Sequence, residues 1–178
     1  MKVLKSAITL VIIMMTFGVF AQNEKDQKVI DAAEKAKMHA EKMNIGIDQY
    51  FKNASGYVIF PNVGEGAFIV GGASGNGAVY ENGTLIGMAN LKKLDVGLQA
   101  GGQTFTEIIF FETEEALKHF KEGKYEFSAE AKAIALEKGV AANANYKNGV
   151  VVFVLPKKGL MADVSVGGQR LAYVPMNQ

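Results

Sequence analysis

The chain has 178 residues, 19 of them basic and 18 acidic, an apolar content of 49%, and neither cysteine nor tryptophan. The near balance of charge supplies no basic excess for phosphate backbones, so nucleic acid is not an expected partner. Without cysteine there is no disulfide and no thiol chemistry, and the core must hold the fold alone.

Residues 1–21 read as a secretory signal peptide. Lys2 and Lys5 precede an apolar run from Ala7 to Phe20 broken only by Thr9, Thr16 and Gly18. Val19-Phe-Ala21 then offers the small residues that a signal peptidase reads. The competing reading is an uncleaved anchor, for which the run is short against a span of about 20 residues. No cysteine follows, which excludes a lipid-modified N-terminus of the bacterial lipoprotein type. Cleavage after Ala21 leaves one domain, Gln22–Gln178, with 17 basic and 18 acidic residues once Lys2 and Lys5 are removed. The expected location is outside the cytoplasm, periplasmic or secreted.

Asn23 to Phe51 reads as one long helix. Ala33, Ala36, Ala40, Met43, Ile47 and Tyr50 recur at alternating spacings of three and four, which is one helical face. The stripe is rich in alanine, which suits close packing on a sheet; the alternative is a basic amphipathic helix on a membrane surface. From Gly56 the period becomes that of strands. Tyr57–Phe60 is a short apolar run stopped by Pro61-Asn62, and Ala67–Val70 is another. Asn82-Gly83 between Ala78–Tyr80 and Thr84–Ile86 is a strong hairpin signal, and Asn148-Gly149 between Ala142–Tyr146 and Val150–Leu155 is a second. Val96–Ala100 and Thr106–Phe111 flank Gly101-Gly102, and Leu160–Val166 and Gln169–Val174 flank Gly167-Gly168.

Thr113 to Gly123 is expected to form a short helix. Thr113 caps it, Glu114 and Glu115 suit its N-terminal dipole, Gly123 ends it, and Leu117 and Phe120 are its buried side. Phe127 to Leu136 has the alanine content of a helix, yet Ala129, Ala131, Ala133 and Ala135 alternate strictly with larger residues, so a strand is expected. The fold class is therefore α+β. It comprises a curved, mostly antiparallel sheet of short hairpins, curled toward a barrel, with one long N-terminal helix and one short helix.

Motifs of known chemistry are not evident. His39 and His119 lie 80 residues apart without a ligand partner at zinc spacing. The glycines from Gly66 to Gly77 lack the Lys-Ser or Lys-Thr of a phosphate loop and open no evident helix. No Gly-x-Ser-x-Gly elbow surrounds Ser55, Ser74, Ser128 or Ser165. Asp95 and Asp163 are not placed together by sequence, so paired-carboxylate chemistry has no support. No cofactor and no metal is expected. Lys157-Lys158 and Arg170 lie in or beside loops; converging on one rim they would form a small cationic site for a lipid head group, and otherwise they are solvated loop cations.

A glycine motif returns three times: Phe68-Ile-Val-Gly-Gly-Ala73, Leu98-Gln-Ala-Gly-Gly-Gln103 and Val164-Ser-Val-Gly-Gly-Gln169. Glycine beside a strand marks a bulge, a bend or a close backbone approach. These motifs occur in order with Tyr57-Val-Ile-Phe-Pro61, Gly75-Asn-Gly77, Glu107-Ile-Ile-Phe-Phe111 and Lys158-Gly-Leu-Met-Ala162. The set, spanning roughly Gln27 to Pro175, resembles the SYLF domain family, whose members include bacterial exported proteins and eukaryotic lipid- and actin-binding adaptors. Leu85-Ile-Gly-Met-Ala89 departs from it, since many relatives carry a Trp-Ser pair there.

The resemblance implies a non-enzymatic binding module, with phosphoinositide binding in the eukaryotic branch. For an exported chain it implies association with membrane lipid head groups or the envelope surface; the candidate contacts among the basic residues are Lys35, Lys42, Lys157, Lys158 and Arg170. The alternatives are a structural or protein-interaction module of the envelope and, third, an enzyme, for which the sequence offers no motif.

Overall fold

The computed structural model describes residues 24–43, 46–65, 72–94, 104–123, 125–128, 132–136, 141, 144–157 and 166–176. Helix α1 covers residues 24–42, α2 is Asp48–Asn53 and α3 is Glu114–Lys121. The strands are β1 (Gly56–Glu65), β2 (Gly72–Glu81), β3 (Thr84–Leu94), β4 (Thr104–Phe111), β5 (Tyr125–Glu126), β6 (Ile134–Ala135), β7 (Val150–Pro156) and β8 (Gln169–Pro175). They form one sheet in the order β5-β8-β3-β2-β1-β4-β7-β6. Every pairing is antiparallel except β6 with β7.

The sheet is curled into a half-barrel, and the chain itself requires this. Laid flat, seven steps of about 4.8 Å would separate the edges β5 and β6 by about 34 Å. Glu126 and Ile134 are joined by residues 127–133, a stretch that spans at most about 28 Å fully extended. A contact across the curl tells which face is inside. Gln169 Nε2 of β8 donates to Glu107 Oε2 of β4 at 3.0 Å, although four strand steps lie between them.

Both faces are packed, and strict alternation divides them. Tyr57, Ile59, Ile108, Phe110, Val151, Phe153 and Leu155 point outward into a cluster with Ile30, Ala33 and Ala40 of α1 and Tyr50 and Phe51 of α2. Val58, Phe60, Ile109, Phe111, Val152 and Val154 point inward to meet Leu117 and Phe120 of α3, Phe127, Val166 and Leu171. Central strands buried on both sides read as nearly continuous apolar runs, as Glu107-Ile-Ile-Phe-Phe111 and Val150–Leu155 do.

Helix α3 follows its expected design. The Ala116 N–H donates to Thr113 Oγ1 at 3.2 Å, and Gly123 takes φ +111° beyond its end. The long N-terminal helix is instead two. α1 has ended by Met43, Gly46 sits at φ +87°, and α2 restarts at Asp48, so Tyr50 can donate to the Ala144 carbonyl at 2.6 Å. The apolar stripe of α1 lies on the sheet, with Ala33 and Ala40 fully buried, and is not turned to a membrane. Among the described residues no helix is long and apolar enough to cross one.

Both Asn-Gly pairs make turns with positive φ at both residues, Asn82 +49° and Gly83 +79°, Asn148 +53° and Gly149 +74°. Only the first joins two full strands. Before the second, residues 144–146 are not strand, and a single bridge pairs Lys147 with Val150. β1 runs on through Pro61-Asn62 because its pairing shifts between Phe60 and Val63, which accommodates the proline. In the alanine-rich segment Ile134 and Leu136 join the outer cluster while Ala133 and Ala135 pack inward, the alternation of a strand. Ala129 and Ala131 lie outside the described residues, as do Ala67–Val70, Val96–Ala100 and Leu160–Ser165.

At Gly87 the β3–β8 approach leaves no room for a side chain. A Cβ there would lie 2.5 Å from both the Tyr173 ring and the Val174 carbonyl oxygen. Gly87→Ala must push the two strands apart and is expected to destabilise the protein by about 1–3 kcal/mol in urea unfolding; an unchanged midpoint would contradict the packing described.

Tyr80 stacks on Tyr57 with centroids 4.9 Å apart, its hydroxyl buried without a hydrogen-bond partner. Burial, with Glu34 and Tyr57 adding to it, pushes its pKa up to about 12. The fold therefore favours the neutral phenol, and its stabilisation holds below pH 10 and is lost as pH rises toward 12. Tyr80→Phe deletes only the orphaned hydroxyl. It is expected to be neutral or slightly stabilising at pH 7 and to retain more stability above pH 10 than the parent, read by chemical unfolding at both pH values.

Candidate functional site

The register places the start of β2, β4 and β8 and the end of β1, β3 and β7 at one rim of the half-barrel. A single transverse row runs along it on the outer face. Glu126 pairs with Arg170, Arg170 with Lys92, Lys92 with Ser74, Ser74 with Gly64, and Gly64 with Thr104. Lys157 closes the row, its backbone N–H donating to the Thr104 carbonyl at 3.1 Å. Residues directly opposite in a sheet point to the same side. Here that is the outer side, because Leu91, Phe105 and Leu171 beside them face inward. The helices cover the other end of this face, where α1 Lys37 donates to the Tyr57 hydroxyl at 3.0 Å. Lys92, Lys157 and Arg170 are accordingly exposed.

Two of the sequence-derived cations, Lys157 and Arg170, thus share one row. They are five strand steps apart, about 24 Å along the sheet. Each has a local partner: Lys157 Nζ donates to Asn62 Oδ1, and Arg170 Nε donates to Glu126 Oε2 at 2.9 Å. Lys158 lies outside the described residues. Lys35 and Lys42 are exposed on α1 and are not brought to this rim. Lys37, two residues from Lys35, contacts Tyr57, and Tyr57 aligns through Phe110 with Val151 of β7, six residues or about 20 Å from Lys157.

Lys92 is the member that sequence reasoning missed. In the sequence Lys92-Lys93 looks like an ordinary loop pair, yet Lys92 is within β3 and directly opposite Arg170. The signal that could have found it is the alternation of apolar Leu91 with Lys92 late in a strand run.

Directly behind the row lies the interior polar pair. Gln169 and Arg170 are consecutive on β8, one inward to Glu107 and one outward to Glu126. Glu107 is 0% and Gln169 1% exposed, and Gln169 Oε1 has no hydrogen-bond partner. The pair is thus part of the interior wall. A separate cleft of about 640 Å³ opens between Tyr125–Ser128, Lys132–Ile134 and the start of β7, where the half-barrel is incomplete. Among the described residues no group of His, Asp or Glu could hold a metal ion. The chemistry on offer is recognition of anions by exposed cations.

Gln169→Leu removes the Nε2 donor to the Glu107 carboxylate, which is out of reach of solvent, and is expected to cost about 1–3 kcal/mol of stability. Arg170→Gln, next to it but outward, breaks only an exposed ion pair and is expected to cost at most about 1 kcal/mol. Equal losses in denaturant unfolding would contradict the inward–outward assignment.

Residues 92–174 match the family model described as Ysc84, Las17-binding protein actin regulator, which is the SYLF domain that the sequence resembles. The match includes Lys92, Glu107, Lys157, Gln169 and Arg170 and leaves out α1 with Lys35 and Lys42. No curated protein matches the chain.

Proposed function

We propose that the protein is an exported, non-enzymatic module that binds anionic lipid head groups at the envelope surface, using the rim of its half-barrel. The observation that carries this reading is the shared row of Lys92, Lys157 and Arg170 on a face that the helices leave open. The match of residues 92–174 to the Ysc84 family model supports a lipid-binding or actin-regulator-like module, and export follows the reading of residues 1–21. Lys158, next in sequence to Lys157, belongs to the proposed contact set. Lys35 and Lys42 could touch the same surface only if α1 also faced it.

A second reading, docking of a protein partner, is favoured by one feature. Beyond Leu171 the outer edge of β8 has no strand partner among the described residues, and Val174 and Met176 there are 47% and 39% exposed. Such an edge can accept an added strand.

The test is co-sedimentation of the processed protein with phosphatidylglycerol and with phosphatidylcholine vesicles at low and physiological salt. Binding to the anionic vesicles alone, weakened by salt, is expected. Each surface cation contributes about 1 kcal/mol at an anionic bilayer. Neutralising Lys157 and Arg170 together should therefore weaken binding about thirtyfold without lowering the unfolding free energy by more than about 1 kcal/mol. Equal binding to both vesicle types would exclude the reading, and a strand-edge partner would then be sought by crosslinking.

A further inference from the structure

We infer that the anionic partner is engaged as an extended surface, with Lys92, Lys157 and Arg170 along the rim each meeting a separate anion, and not as one head group held in a pocket. The inference rests on the lipid reading above and specifies its mode. Two observations carry it.

The first is distance and direction. Charge-assisted bonds to one phosphate are about 2.8 Å long, so cations that share a phosphate must bring their ends together. Lys157 and Arg170 are separated by β3, β2, β1 and β4 in the sheet order, about 24 Å along the row. They stand on the outer face of a wall that curls toward its other side, as the Gln169–Glu107 bond across the interior requires. Their side chains therefore diverge around the rim. Separate anions spread along a surface, and not one shared phosphate, are what cations so placed can meet.

The second is the Lys92–Arg170 pair. Like charges directly opposite in adjacent strands repel, and this pair is directly opposite and exposed. Glu126 offsets Arg170 from the far side at 2.9 Å, but that ion pair is solvent-exposed and weak. An anionic surface relieves the repulsion and competes with Glu126 for Arg170. Lys92 is thus a contact residue, and Glu126 acts against binding.

Many-point contact has a distinct signature, because further contacts after the first are intramolecular and depend on anion density. The experiment measures binding of the processed protein, and of its Lys92→Gln, Lys157→Gln, Arg170→Gln and Glu126→Gln variants, to phosphatidylcholine vesicles of increasing phosphatidylglycerol fraction. Free glycerol phosphate serves as competitor, and the unfolding midpoint of each variant controls for folding. Binding that rises more steeply than in proportion to the phosphatidylglycerol fraction supports the inference. So do a loss of about fivefold for each of the three cation variants, tighter binding by Glu126→Gln, and no competition by glycerol phosphate. Linear dependence with competition by glycerol phosphate overturns the inference while leaving the lipid reading standing. So does a loss confined to one of the three cations. Absence of parent binding at every composition overturns the lipid reading itself.

Discussion

The fold rests on one constraint. Eight strands have to be arranged so that the first and last in the sheet order, β5 and β6, can be joined by residues 127–133. That segment is too short to cross a flat sheet, so the sheet must curl. Curling gives the sheet an inside and an outside, and each needs its own apolar set. The sequence supplies them by alternation within single strands: Phe105, Ile109 and Phe111 inward, Ile108 and Phe110 outward, all from β4. A one-residue slip of β4 would exchange the two sets and place Glu107 against the helices. Register, curl and core composition are therefore one specification.

The same constraint determines where polar groups can sit. Inside, the curl brings β8 over β4, and Glu107 and Gln169 meet there with Gln169 Oε1 left unpartnered. An unsatisfied buried acceptor costs about 1–3 kcal/mol. It is tolerated because large apolar side chains, among them Phe105, Phe111 and Phe120, are fully buried around the same interior. Outside, α1 and α2 cover the end of the sheet nearer Tyr57 and Tyr80, while Lys92, Lys157 and Arg170 toward the opposite rim are exposed.

Much of this was legible in the residues, and what was not has identifiable causes. Asn82-Gly83, the Thr113 cap and the β4 and β7 runs are local signals, and local signals survived folding. Asn23 to Phe51 reads as one helix, yet the positive φ of Gly46 makes a break between two; the difference depends on Tyr50 reaching the Ala144 carbonyl, 94 residues away. Pro61 looked like a strand end because the shift in β1 pairing that accommodates it is a property of the neighbouring strands. At the candidate site, Lys157 and Arg170 could be picked out as cations beside glycines. Lys92 could not, because its importance comes from the β3–β8 pairing, and β8 follows β3 only after 74 residues.

The glycine motifs and the cations share this rim for a common reason. β2 begins at Gly72, β4 two residues after Gly101-Gly102, and β8 directly after Gly167-Gly168. In an antiparallel arrangement of this order these three strands all start at the same end. Glycine serves where the chain re-enters a strongly curled wall, as Gly168 does at φ +74°. Strand starts and ends at an open rim are also where a long charged side chain keeps its head in water while its stem lies on the sheet. Repeating glycine and scattered lysine thus mark the same edge of the same half-barrel. Because that edge is an arc, its cations lie side by side along it with their ends apart, an arrangement suited to a surface and poorly suited to a single small anion.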